Sequence, residues 1–221
     1  MPIYFLLESR GNAMATIICY IIIYFVEAFI LWHYCTTMFQ SKYSKCIEWI
    51  SIVPLYLILL YIMLYENILL NFTAFLIANF IYIIFAFHTK WLSALFHASI
   101  TTAVMGLSEV IVANIIPNVA YNFFDKDTHL QKLIIIALYS KILYYVLLQI
   151  IISLFGTSKE KLVTSTGTRF LIVIPVITVW IIFTLLSICS VTEFTPAIER
   201  MITTSALLLL IINFFTFSIY R

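Results

Sequence analysis

The sequence predicts an all-α, polytopic membrane helix bundle with about seven transmembrane helices. Hydrophobic residues make up 64% of the 221 residues and charged residues only 10%. A soluble domain of this length could not bury so much apolar surface. The chain divides into apolar runs of about 17–25 residues, which is the length that crosses a bilayer as a helix. Helices are expected because each span must satisfy its own backbone hydrogen bonds in lipid.

Seven spans follow from these runs and together occupy residues 14–221. In chain order they are Met14–Tyr34, Trp49–Tyr65, Ile68–Phe87, Trp91–Ile116, Leu133–Phe155, Phe170–Ser190 and Met201–Tyr220. The tail before them, residues 1–13, lacks the basic leader of a signal peptide. Very short connections, Glu66-Asn67 and residues 88–90, predict tight antiparallel hairpins. Pro117 is expected to end the fourth span.

Basic residues predict the orientation, with the N-terminus and the tail outside and the C-terminus inside. Seven basic residues fall on the predicted inner side: Lys42, Lys45, Lys90, Lys159, Lys161, Arg169 and Arg221. Four fall on the other side: Arg10, Lys126, Lys132 and Arg200. This bias follows the positive-inside rule. Trp180, near the middle of the sixth span, is expected to pack inside the bundle.

Five ionisable residues lie at predicted membrane depth: Glu27, His33, His97, Glu109 and Lys141. A charged residue there costs about 2.5–3.5 kcal/mol unless it is paired. Glu109 and Lys141 each lie about 10–12 Å below the outer end of adjacent antiparallel spans, so they are predicted to form an ion pair. Glu27 and His97 lie at a similar depth from the inner side and are predicted to meet. The Glu–Lys pair is either a switch or a device that fixes helix register.

The fourth span also carries small residues at every fourth position. Ala94, Ala98, Thr102 and Gly106 form a stripe that lets another helix approach closely. Glu109 follows Gly106 by three residues and shares this face. The stripe is therefore the predicted helix-packing face. His97 in the same span is predicted to be a packing histidine, with a proton or metal role as the alternative.

The longest predicted outer segment, residues 117–132, is a possible ligand loop. A capping box of Thr128 and Gln131 is expected to open the fifth span. The candidate contacts in this loop are Tyr121, Phe123, Phe124, Asp125 and Asp127. A solvated acidic loop with aromatic anchors at the interface is the alternative interpretation.

No catalytic, metal or cofactor site is predicted. The chain has four glycines and lacks the HExxH, CxxC and GxSxG motifs. Its four histidines are scattered over both sides, which argues against a shared metal. Nucleic acid binding has no support in the pattern of charges. We expect no covalent chemistry from these residues.

Four segments carry a family resemblance: "YFVEAFILWHYC" in the first span, "FQSKYSKCIEW" after it, "KWLSALFHASITTAVMGLSE" in the fourth, and "IINFFTFSIYR" at the end. The pattern resembles the membrane-embedded sensor portion of bacterial GHKL-type receptor histidine kinases, the group that includes accessory-gene-regulator quorum-sensing receptors. The resemblance implies a multi-pass location in a bacterial cell membrane. It also implies an extracellular peptide as the possible ligand.

The same resemblance implies partners that act beyond the spans. Members of the group continue into a dimerising helical region and an ATP-binding domain, both of which are expected to be absent from residues 1–221. A homodimer is therefore expected when the bundle is joined to a kinase region, and a response regulator only through that region. No histidine here matches the phosphoacceptor. The alternatives are a small transporter or substrate-binding membrane subunit, and a structural membrane partner of another protein.

Overall fold

A computed structural model of the chain describes residues 10–65, 67–119, 129–155, 172–191 and 195–220. These residues form seven α-helices and one isolated β-bridge: α1 (Arg10–Met38), α2 (Lys45–Met63), α3 (Ile68–Ala86), α4 (Trp91–Val119), α5 (His129–Phe155), α6 (Val173–Val191) and α7 (Pro196–Tyr220). The predicted all-α architecture is confirmed.

Six of the helices, α1 to α5 and α7, are long and apolar enough to cross a membrane. In α6 the apolar part is shorter and runs over Val173–Leu185. The chain therefore has the character of a multi-pass membrane protein. The seventh crossing and the orientation stay predictions.

Helix α4 lies at the centre of the bundle. Of its apolar window, 89% is buried, whereas the windows of the other five long helices are 22–39% buried. It packs against α3, α5, α6 and α7, while α1 packs against α2 and α5. The surrounding helices expose large apolar side chains on their outer faces, among them Phe25, Leu57 and Phe215. This distribution is what a bundle in lipid requires, because lipid tails solvate apolar side chains.

Two connections are joined at one end of the bundle, which we call the bridged end (residues 39–44 and 87–90). The Lys42 backbone N–H donates to the Ala86 carbonyl at 2.9 Å, and the His88 N–H donates to the Gln40 carbonyl at 2.9 Å. Ser41 and Phe87 form the isolated bridge between them. These bonds hold the α1–α2 and α3–α4 hairpins together. The other end, where α2 connects to α3, is called the opposite end.

The small residues of α4 face neighbouring helices. Ala94, Ala98 and Thr102 are fully buried. A Cβ added at Gly106 would lie 2.7 Å from Cγ2 of Ile182 in α6 and 2.9 Å from Cε2 of Phe72 in α3. Such separations are too short for real Cβ atoms, so glycine is the residue that permits α3 and α6 to approach α4 here.

Trp180 does not pack inside the bundle, and that prediction is wrong. Its side chain is 64% exposed, on the same face of α6 as the exposed Val173 and Ile177. The opposite face of α6 carries the buried Val179 and Ile182. A midspan tryptophan can face lipid because its ring is largely apolar, so depth alone did not decide its direction.

Pro117 does not end α4, which continues to Val119. A proline interrupts a helix because it lacks an N–H and crowds the preceding turn. The helix ends two residues later, so Pro117 lies in its last turn. The predicted capping residue Thr128 lies outside the described residues.

Candidate functional site

Three charged side chains from three helices meet inside the bundle, and we call them the charge cluster. Nζ of Lys141 in α5 lies 2.5 Å from Oε1 of Glu27 in α1 and 2.5 Å from Oε1 of Glu109 in α4. One ammonium therefore bridges two carboxylates. The structure brings together the predicted pair Glu109–Lys141 and adds Glu27 to it.

Helical spacing places Glu27 on a buried face, and Lys141 is also buried. In α1, Glu27 belongs to a stripe with Tyr24, Leu31 and Tyr34, all of which are buried. These residues recur every three or four positions, so they share one side of the helix. The side chains of Glu27 and Lys141 are only 4% and 5% exposed. The cluster is consequently held by the same packing that forms the core.

The cluster carries an excess of negative charge. Two carboxylates and one ammonium sum to one negative charge when all three are ionised. Oε2 of Glu27 is buried and, among the described residues, has no hydrogen-bond partner. Glu109 differs from its two partners because 36% of its side chain is exposed. The arrangement thus combines an incompletely neutralised charge with one accessible carboxylate.

The structure pairs Glu27 with Lys141 and His97 with Tyr34, at different distances from the bridged end. The bounds of α1 explain the difference in depth. The helix continues to Met38, so Glu27 lies eleven residues, or about 16 Å, from the bridged end. His97 lies six residues, or about 9 Å, from the start of α4 at the same end. The predicted first span ends at Tyr34, four residues before the helix does, and so places Glu27 too close to the bridged end.

His97 pairs instead with Tyr34 of α1. The Tyr34 hydroxyl lies 2.6 Å from Nδ1 of His97, and both side chains are buried. Aromatic rings surround the imidazole, with centroids at 4.7 Å for Phe39, 5.5 Å for Phe96 and 5.4 Å for Phe217. Because Phe217 belongs to α7, His97 joins α1, α4 and α7. Sequence reasoning missed Tyr34, although its spacing from Glu27 and Leu31 indicated the same face.

Glu48 is a buried carboxylate that the sequence analysis missed. It lies in the first turn of α2 and is completely buried, and neither carboxyl oxygen has a hydrogen-bond partner among the described residues. The predicted span began at Trp49 and so left Glu48 in a connection. Its spacing from the buried Ile52, Tyr56 and Leu59 was the available signal.

Amides and hydroxyls link further helices. Nδ2 of Asn79 in α3 donates to Oγ1 of Thr102 in α4 at 3.0 Å. Nδ2 of Asn213 in α7 donates to Oγ1 of Thr178 in α6 at 2.9 Å. Interhelical hydrogen bonds of this kind add to the association of helices in lipid. Thr102 therefore belongs to the small-residue stripe of α4 and also accepts an interhelical hydrogen bond.

The remaining predicted residues have simpler positions. His33 stacks on Phe29 of its own helix, with ring centroids 6.3 Å apart. The five loop candidates, Tyr121, Phe123, Phe124, Asp125 and Asp127, lie outside the described residues. Across the described ranges, no three histidine, cysteine or acidic side chains are grouped as metal ligands would be.

Comparisons with models of known protein families, with curated proteins and with solved structures find no match to this chain. A function is therefore inferred from the charge cluster and its surroundings.

Proposed function

We propose that the chain is the membrane-embedded signal-sensing domain of a two-component receptor histidine kinase, with an extracellular peptide as its signal. The observation that supports this proposal is the charge cluster, in which Lys141 joins α1, α4 and α5 through the buried carboxylate of Glu27 and the partly exposed carboxylate of Glu109. The family resemblance of the sequence supplies the receptor class. The bias of basic residues supports a bridged end that faces the cytoplasm.

The cluster suits a switch because its charges interact strongly in the low-dielectric interior of the bundle. Separation of one helix from Lys141 leaves an uncompensated charge in an apolar environment, which costs about 3–5 kcal/mol for a buried pair. A packing in which the three charges are in contact is therefore lower in free energy than a packing in which one of them is separated. A ligand shifts such an equilibrium by its differential affinity for the two packings.

Helix α7 is the element that would carry the signal to a kinase region. It packs on α4 and α6 and ends at the bridged end, where Phe217 meets His97. In the proposed mechanism a ligand at the opposite end changes the packing of α4. The Tyr34–His97–Phe217 contacts then transmit this change to α7. A kinase region joined to α7 would form a homodimer and act on a response regulator.

The test fuses the bundle to the dimerising and catalytic regions of a receptor kinase. We expect Lys141→Ala to change basal autophosphorylation without abolishing membrane insertion, because the two carboxylates lose their shared partner. Lys90→Ala is the matched control, since Lys90 is an exposed cation at the bridged end. Unchanged basal and peptide-induced signalling in Lys141→Ala would remove the switch role.

A small transporter is the second candidate, and the exposure of Glu109 favours it. A carboxylate that is 36% exposed beside a buried ion pair could take a proton or cationic solute from one side. Uptake by the purified chain in vesicles, lost in Glu109→Gln, would support this candidate. Absence of uptake together with a working kinase fusion would support the sensor.

A further inference from the structure

Helix α4 is open on one side of Glu109 and closed on the other. Ala113, one turn nearer the opposite end, is exposed. Met105, one turn nearer the bridged end, is buried at 4% exposure. All three residues share a face because they are four positions apart. Access to Glu109 along this face therefore comes from the opposite end.

Helix α5 also changes burial near this level, whereas α1 does not. In α5 the residues beyond Lys141 toward the bridged end, Tyr144 and Leu148, are buried, whereas Ala137 on the other side is only partly buried. In α1, Tyr24 and Leu31, one turn to either side of Glu27, are both buried. The faces of α4 and α5 at the charge cluster are thus less covered toward the opposite end, while α1 covers Glu27 on both sides.

With all three groups ionised, the charge cluster carries one excess negative charge. Two carboxylates share one ammonium, and Oε2 of the buried Glu27 has no hydrogen-bond partner among the described residues. An unbalanced charge in a site of low polarity is costly. The addition of one positive charge gives two balanced pairs.

We propose that the charge cluster is a binding site for one ammonium or guanidinium group, which enters from the opposite end and binds the Glu109 carboxylate. This inference rests on the proposed function, because it names the chemical group that the sensor would recognise. The incoming cation competes with Lys141 for Glu109. Lys141 then stays with Glu27, so the link between α1 and α5 is kept and the link to α4 is released.

The experiment measures thermal unfolding of the purified full chain in detergent while methylammonium chloride replaces sodium chloride at constant ionic strength. We expect Tm to rise with methylammonium concentration, and to rise as the logarithm of that concentration once it exceeds the dissociation constant, since a ligand that binds the folded state stabilises it in this way. The rise should disappear in Glu109→Gln and persist in Glu199→Gln, in which a carboxylate at the start of α7 is removed. Tetramethylammonium donates no N–H hydrogen bond. The apparent affinity calculated from its effect on Tm should be at least tenfold lower than that of methylammonium.

A Tm that does not change with methylammonium, or an equal rise in Glu109→Gln, would overturn the site. If Glu109→Gln does not fold, the comparison of methylammonium with tetramethylammonium on the native chain decides the matter. Equal responses to the two ions would overturn the site, and selectivity for methylammonium would support it. Binding without any change in the kinase fusion would reject the sensor and keep the cation site, so the two failures are distinguishable.

Discussion

Two buried glutamates of this chain have opposite surroundings. The carboxylate of Glu27 contacts the ammonium of Lys141, whereas neither oxygen of Glu48 has a hydrogen-bond partner among the described residues. The difference decides what each residue contributes to stability. A paired buried charge is costly to disrupt, and an unpartnered buried polar group is itself a cost.

Leucine in place of Lys141 and in place of Glu48 should therefore have opposite effects. We expect Lys141→Leu to lower the free energy of unfolding by about 3–5 kcal/mol, because Glu27 and Glu109 both lose their shared cation. Glu48→Leu should be neutral or stabilising, because it removes a buried carboxyl that makes no compensating bond. Thermal unfolding in detergent measures both. A large loss of stability in Glu48→Leu would mean that its carboxyl has a partner.

At the scale of the helix, α4 organises the bundle through small residues and hydroxyls. Gly106 permits the approach of Phe72 and Ile182, and Thr102 accepts a hydrogen bond from Asn79. Close packing is the main source of helix association in lipid, since no hydrophobic effect drives helices together there. Substitutions on this face should act on the position of α3 and α6 relative to α4.

Leucine at Gly106 should destabilise the bundle because its side chain would overlap both neighbouring helices. We expect a loss of about 1–3 kcal/mol, the usual cost of overpacking. Ala113→Leu is the matched control, since Ala113 lies on the same helix and is exposed. Thermal unfolding of the two variants in one detergent makes the comparison. Equal Tm values would contradict the close approach at Gly106.

Removal of an interhelical amide should have a smaller effect. Asn79→Leu loses the hydrogen bond to Thr102, and bonds of this kind contribute about 0.6 kcal/mol on average within membranes. The double variant Asn79→Leu with Thr102→Val should then lose little more than either single variant. Strict additivity of the three unfolding free energies would argue against the contact.

Over the whole molecule, the number of crossings decides whether the two ends of the bundle have the proposed roles. Six helices meet the length and hydropathy of a membrane span, and α6 has a shorter apolar part. If α6 also crosses, Lys42 and Arg200 lie on opposite sides of the membrane. If it does not, they lie on the same side.

Cysteine labelling of intact cells tests this arrangement. Cys46 is exposed and is first replaced by serine to provide a suitable background. We expect an impermeant thiol reagent to modify Arg200→Cys and to leave Lys42→Cys unmodified until the cells are opened. This pattern follows from seven crossings with the basic side inward. Equal labelling of both variants in intact cells would contradict the seventh crossing.

Much of the architecture was predictable from the sequence, because long apolar runs leave few alternatives to membrane helices. The meeting of Glu109 with Lys141 followed from a count of residues in consecutive antiparallel spans. The same count failed for Glu27, whose helix extends past the predicted end. The count of residues also could not show which side of α6 carries Trp180, because the depth of a residue in the membrane and its position around the helix axis are independent. Glu48 was missed because a charged residue at the start of a helix is easily assigned to the preceding connection. Its helical spacing from the buried Ile52, Tyr56 and Leu59 indicates that it belongs to the helix.

In the charge cluster, Lys141 should be coupled energetically to both carboxylates. A double-mutant cycle on thermal unfolding, with Glu27→Gln, Glu109→Gln and Lys141→Met alone and in each carboxylate–lysine pair, measures that coupling. We expect each double variant to lose clearly less stability than the sum of its single variants, because the second substitution removes a charge that the first left unpaired. Additivity within about 0.5 kcal/mol for both pairs would contradict the bridge formed by Lys141.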